Sequence, residues 1–428
     1  MQRRYHSFPV NDLAGIKIKM LDWANRSGIC CFLDNNTYTG IYHVAECIAG
    51  VGVYEKFVPT DDFFGSLSSF VEQTNDYIFG HFNYDLKNRI EPDLTSELPD
   101  LTGFPESYLF VPKVVLLLHD DELQIGVTSE DASSIYQQII QTKIVEGHNP
   151  AVQVQPRISR QQYLDAVSQI IRHIHLGDCY VINYCQEFFA YANVDPLLVY
   201  RQLSALSPTP FAAYYKLHNH YLLCASPERY IKKQGSTLIS QPIKGTAARN
   251  YADAAADDSN KKLLQNSQKE RSENVMVVDL VRNDIGKVAT AGSVMVDELF
   301  GIYSFANVHQ MISTVSGQVR DDISFGEILK ATFPMGSMTG APKRRVMELT
   351  EKYEYSSRSI YSGTVGYIAP NKDFDFNVVI RSIVYNAASQ YLSYHVGSAI
   401  TAYCDPAAEY DECLLKGNTL ASILAGKY

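Results

Sequence analysis

Four stretches of this chain concentrate residues able to do chemistry. The first is Pro242-Ile243-Lys244-Gly245-Thr246, with Arg249 just beyond. A proline and a glycine around one lysine project its amine from a stiff turn. Such an amine becomes a nucleophile when burial or a nearby cation keeps it neutral, although the same pentapeptide also suits an ordinary surface turn. The second is a pair of matching carboxylate motifs. Glu270 and Glu273 share one face of a helix read over Lys261 to Asp284, and Glu409 and Glu412 repeat the spacing in a later helix. Asp405 is placed to cap that later helix, with Pro406 in its first turn. Four carboxylates without a histidine suit a hard cation such as Mg²⁺. An isolated pair is otherwise a solvated helix face, so the two pairs make a site only if the fold brings them together.

The third stretch, Gly336-Ser337-Met338-Thr339-Gly340-Ala341-Pro342-Lys343, precedes an amphipathic run through Val346, Met347 and Leu349. Converging backbone N–H groups at such a helix start attract an anion; the alternative is a plain loop-to-helix junction. Its spacing is not that of a P-loop. The fourth holds Arg381 on an apparent β-run, Val378 to Arg381, and the small-residue turn Gly397-Ser398-Ala399. Arginine suits bidentate carboxylate recognition, and small residues let a ligand approach the backbone. Together the four describe a pocket for a small di-anionic substrate, a divalent metal and one nucleophilic lysine.

The elements that must position them mix helices with β-runs and show little βαβ alternation, which predicts an α+β fold on large antiparallel sheets. Ile29 to Leu33 and Tyr108 to Leu118 read as strands followed by polar turns. Tyr163, Val167, Ile170, Ile171 and Ile174 recur at helical spacing between Ser159 and Leu176, and Gly177 stops that helix. Strands are expected at Cys179 to Cys185 and Tyr221 to Ala225, then one helix from about Ser259 to Asp284. The polar stretch from Glu146 to Pro156 divides an N-terminal α/β region, 1–148, from a catalytic region, 157–426.

A formal charge of −10 with no long basic run argues against nucleic-acid binding. The longest apolar runs, such as Val114 to Leu118, are far shorter than the ~20 residues of a membrane span. The basic start, Met1 to His6, leads into no apolar segment of a secretory signal. The 8 cysteines contain no CxxC pair and read as buried thiols in a reducing compartment, so a cytoplasmic location is expected.

Read in order, these motifs resemble the chorismate-utilising enzymes. That family includes the component I chains of anthranilate synthase and aminodeoxychorismate synthase, together with isochorismate and salicylate synthases. The resemblance spans roughly Ile174 to Lys416. It runs through Gly177-Asp178-Cys179-Tyr180, Ser226-Pro227-Glu228-Arg229, Pro242 to Thr246, Glu273 to Asp284, Gly336 to Lys343, Tyr361 to Tyr367, Ile380-Arg381-Ser382 and Asp405 to Glu412. It implies an anthranilate synthase component I-like fold, with large antiparallel β-sheets sandwiched and flanked by helices. Lysine in the PIxGT turn, where anthranilate synthases carry alanine, resembles the aminodeoxychorismate branch. The resemblance then implies that Lys244 attacks C2 of chorismate while Glu228 protonates the departing C4 hydroxyl. Ammonia next enters at C4, giving 4-amino-4-deoxychorismate for 4-aminobenzoate and folate.

By the same resemblance Glu273 and Glu412 contact Mg²⁺ directly, and Glu270 and Glu409 complete its shell. Gly245 and Thr246 hold the ring carboxylate. Arg381, Tyr361, Gly397, Ser398 and Ala399 hold the enolpyruvyl carboxylate, and His309, Ser337 and Lys416 line the pocket. The chain departs from the family at Val181, where hydroxylating relatives place a water-activating lysine, and at Ser398-Ala399, usually glycine-rich. The segments around Leu21-Asp22 and Leu33-Asp34-Asn35 depart from the tryptophan-site pattern of feedback-regulated relatives. No glutamine amidotransferase nucleophile motif is present, so ammonia is expected from a separate amidotransferase subunit or from solution. The alternatives are an anthranilate-type synthase aminating C2 with pyruvate release, and a non-catalytic chorismate-binding partner.

Overall fold

The computed structural model describes residues 3–40 and 42–427; Met1 and Gln2, which open the basic N-terminal run, lie outside them. Alternation along single strands sets the architecture. In Ile29–Asp34, Cys30 and Phe32 join one hydrophobic cluster while Cys31 joins another, because successive side chains leave opposite faces of a strand. Among the described residues the strands assemble into a twelve-stranded and a ten-stranded sheet. Cys31, Val115, Ala213 and Leu222 of the larger sheet pack with Phe79 and Val365 of the smaller one, forming the seam between them. The outer face of the larger sheet is covered by helices that include Leu13–Asn25, Arg160–His175 and Pro406–Leu424. The outer face of the smaller one is covered by Phe63–Gln73, Gln268–Gly286 and Phe325–Thr332. These four layers are the expected α+β sandwich of antiparallel sheets flanked by helices.

Strands from the first 148 residues enter both sheets. Ile29–Asp34 pairs with Phe211–Leu217, and Ile78–Phe82 pairs with Thr364–Ile368. The helix read between Ser159 and Leu176 spans Arg160–His175. A reciprocal Ser159–Gln162 capping box starts it, and Tyr163, Val167, Ile170 and Ile174 are buried.

Four local expectations are corrected. The run Tyr108 to Leu118 is two strands, Ser107–Val111 and Val114–His119, which lie in different sheets. They separate at Pro112, which has no N–H to donate to a ladder. The helix expected from Ser259 to Asp284 is two helices, Ala254–Asn266 and Gln268–Gly286. Ser267 divides them, and its hydroxyl accepts the Glu270 N–H at 3.3 Å as an N-cap. Val378 to Arg381 is not a strand: Arg381 has φ +50°, and the strand begins at Ser382. The glycine-rich stretch does not run straight into a helix. Gly340–Ala341 first pairs with Val181 and Ile182 at the sheet edge, and the helix starts at Lys343. A Cβ on Gly340 would lie 2.0 Å from the Val181 carbonyl oxygen, so only glycine permits that approach.

Candidate active site

The strand Ile243–Ala248 forms one edge of the ten-stranded sheet, paired with Val308–Gln318 through a register shift between Ile243 and Thr246. Gly245, at φ +96°, takes a conformation that side chains rarely adopt, and a Cβ there would sit 3.0 Å from a Glu270 carboxylate oxygen. Helix Gln268–Gly286 can therefore lie close over the lysine strand. Glu273, Val277, Val281 and Ile285 share one buried stripe, so packing the aliphatic residues carries the Glu273 carboxylate inward. Ser313 clamps the helix to the neighbouring strand by donating to Asn274 Oδ1 at 2.6 Å. Helix Pro406–Leu424 works alike: Glu409 continues the stripe of Cys413, Leu420 and Leu424, and Asp405 caps the start with Pro406 in the first turn.

The charges that result alternate. Burial raises the Glu228 carboxyl to about 7, against the pull of neighbouring Ser337, Lys244 and Arg381. Burial lowers Lys244 below its ordinary value; Glu273, Glu228 and Glu270 oppose that shift, and Lys416 reinforces it. Lys416, and not Arg249, is thus the cation beside Lys244. Arg249 is held elsewhere by Asp257 at 3.0 Å and the Phe305 carbonyl. Burial also raises Glu270 and Glu273. Burial pushes on Glu412 too, but Lys416 at 2.7 Å holds it below the usual carboxylate range. Lys416 also donates to the Gly397 carbonyl at 3.2 Å, and the Ser398 hydroxyl donates to Glu409 Oε2. The structure therefore gathers Glu228, Lys244, Glu270, Glu273, Ser337, Arg381, Gly397, Ser398, Glu409, Glu412 and Lys416 around one edge strand and two helix starts.

The remaining candidates are placed differently. Thr246 is exposed on the strand beyond Gly245. Both ring nitrogens of His309 are engaged, by Asp257 at 3.1 Å and by the Ser304 hydroxyl at 2.8 Å. The Tyr361 ring is buried and stacks on His395, with ring centroids 5.1 Å apart. Ala399 is buried in the ladder opposite Asn183, and Val181 is buried opposite Ala341.

Among the described residues no three His, Cys, Asp or Glu side chains converge as a ready-made metal cage. The donors present suit a looser grip. Glu273 Oε1 is buried without a hydrogen-bond partner, and Mg²⁺ typically takes one or two carboxylates and keeps waters or substrate oxygens elsewhere. Two features carry no motif in the sequence. Lys269 approaches Glu273 and Glu409. Arg358, fully buried, pairs with Glu354 and donates to the Met338 carbonyl at 2.7 Å and the Asn183 carbonyl at 2.8 Å, fastening the turn that carries Ser337. Its only signal was the i,i+4 spacing from Glu354. A separate cavity of about 660 Å³, lined by Asp34, Tyr38, Tyr42, Arg229, Thr314 and Asp375, lies away from these groups. Thr314 faces it while Ser313 faces helix Gln268–Gly286, so strand Val308–Gln318 separates the two.

Comparison with known proteins follows this geometry. Residues 30–422 match the family described as chorismate binding enzyme. Aminodeoxychorismate synthase component 1 of Escherichia coli K12 is 35% identical over 351 residues, 80% of this chain and 75% of that protein. The aminodeoxychorismate synthase of Streptomyces pristinaespiralis is 40% identical over 284 residues, 66% of this chain but only 39% of that longer protein. Among solved structures, anthranilate synthase component I from Streptococcus pneumoniae superimposes with a TM-score of 0.77 at 21% identity, covering 90% of this chain and 95% of that one. The menaquinone-specific isochorismate synthase from Escherichia coli gives 0.77 at 16% identity, covering 99% and 95%. The two structures share the fold.

Proposed function

The chain belongs to the chorismate binding enzymes, and we propose that it aminates chorismate at C4 through a covalent bond to Lys244. One observation carries this reading: a lysine with a lowered affinity for its proton stands beside a buried carboxyl that keeps its proton up to about pH 7. Such a pairing is what a nucleophile and a general acid acting on one substrate need. The relatives named aminodeoxychorismate synthase support the choice of C4.

The neutral Lys244 amine attacks C2, the ring double bonds shift, and the C4 hydroxyl takes the Glu228 proton and departs as water. Ammonia then attacks C4, the double bonds return, and the bond from C2 to the lysine nitrogen breaks. The Glu228 carboxylate recovers a proton from the incoming ammonia, and Lys244 leaves as an amine. Covalent catalysis divides one difficult substitution into two easier ones. Arg381, whose charge reaches Glu228, would hold a substrate carboxylate there. Glu273 and Glu412 would hold Mg²⁺, with Glu270 and Glu409 outside them. When bound, the ion supplies positive charge for the ring carboxylate. The ammonia would come from a glutamine amidotransferase partner or from solution. Among the described residues no helix is long and apolar enough to cross a membrane.

The test is incubation with chorismate and Mg²⁺, first without a nitrogen source. Intact-protein mass spectrometry should find an adduct on wild-type protein and none on Lys244→Ala. Adding ammonium, but not glutamine, should then yield a product with its amine at C4. Anthranilate without an adduct would place the chain in the C2-aminating branch instead.

A further inference from the structure

Lys269 occupies an unusual position for a cation. It is the second residue of helix Gln268–Gly286, where the helix dipole disfavours positive charge. Its Nζ lies 4.0 Å from Glu273 Oε1 on its own helix and 3.7 Å from Glu409 Oε1 on helix Pro406–Leu424. Both distances exceed a hydrogen bond, so the lysine neutralises these oxygens without satisfying them. The carboxylates are almost buried, with side-chain exposures of 10% and 5%, while the lysine side chain is 54% exposed. The other Glu409 oxygen is already taken by the Ser398 hydroxyl, and Glu273 Oε1 has no hydrogen-bond partner. Glu412 has its own cation in Lys416. A half-exposed ammonium therefore stands between two helix starts, against the unpartnered Glu273 oxygen and the Glu409 oxygen that the Ser398 hydroxyl leaves free.

We propose that Lys269 is a resident counter-cation of Glu273 and Glu409, one inner and one outer carboxylate of the site, holding the metal-free site together and moving aside when a divalent ion enters. This rests on the reading of the site as a metal site. Single positive charge suffices to join Glu273 and Glu409 across the gap, but a divalent ion interacts about twice as strongly with each oxygen at equal distance. The long, exposed lysine stem lets the ammonium swing into solvent as the ion enters. What remains is repulsion between the lysine and the ion, so the wild-type protein binds the metal more weakly than its carboxylates alone would. Lys269 acts through the site's charge and needs no contact with substrate.

Mn²⁺ titration followed by electron paramagnetic resonance of the free ion tests this, in the full chain with and without chorismate. Lys269→Gln should bind Mn²⁺ at least about fivefold tighter than wild type, the effect of removing one like charge from a partly solvated site. Lys269→Arg, which keeps the charge, should stay within about twofold of wild type. Without Mn²⁺, Lys269→Gln should melt at a lower temperature than wild type, and saturating Mn²⁺ should close that difference. Equal or weaker Mn²⁺ binding by Lys269→Gln overturns the role of Lys269 while leaving the metal site standing. Failure of wild type to take up Mn²⁺, even with chorismate, removes the metal reading and this proposal with it.

Discussion

At the scale of single residues, the decisive contrast is between Glu228 and Lys244, each held toward its neutral form by burial. For Glu228 the sign of the pH effect follows directly. Its folded value of about 7 exceeds the ordinary 4.5, so between those values the folded chain binds more protons than the unfolded one. The contribution to stability is complete below pH 4.5 and is lost as pH rises through 7, by on the order of 3 kcal/mol. Glu228→Gln should therefore lose ~10²–10⁴-fold in rate, yet resist denaturant at pH 8 better than wild type, with the advantage gone at pH 4. Denaturant midpoints at the two pH values check this. The sequence made the lysine and the acid legible, since each sits in a short motif. It could not reveal which cation neighbours Lys244. Arg249 is near in sequence, but the edge strand directs it to Asp257, and Lys416 arrives from the far end of the chain.

Individual elements place the carboxylates. Two helices bring glutamates near Lys244, each caps its first turn with a side chain, and each continues its buried stripe into a glutamate. The ExxE spacing and the Asp405-Pro406 start were readable from local rules. The break at Ser267 carried a local signal as well, Ser267 three residues before Glu270, but it lies inside a long run of otherwise helical spacing. The run through Pro112 also split where one element was expected, because strand propensity does not say which sheet a strand joins. Removing either inner carboxylate should strike the chemistry and spare the helices. Glu273→Ala and Glu412→Ala should each lose at least ~10²-fold in kcat/KM. Their circular dichroism should match wild type, because each loses only a charge from a helix start. Wild-type turnover in excess EDTA would refute the metal reading behind this expectation.

The whole molecule is held by pairings between distant parts of the chain. Ile29–Asp34 lies against Phe211–Leu217, and Ile78–Phe82 against Thr364–Ile368. Residues 157–426 expressed alone would leave two open sheet edges and half of an apolar seam exposed to water. That fragment should be insoluble or lack a cooperative melting transition, whereas the full chain should unfold in one calorimetric step. The α+β class was legible from the mixture of elements and the layered sandwich from the family resemblance, but no local pattern announced that the two regions share both sheets. The same long-range pairing governs how the protein is born. As the chain emerges from the ribosome, Ile78–Phe82 must wait for Thr364–Ile368, and Glu409 and Glu412 are made after everything they pack against. The nascent chain thus carries its lysine and acid long before the second carboxylate helix can close over them, and during that interval its bare strand edges are open to pairing with other chains.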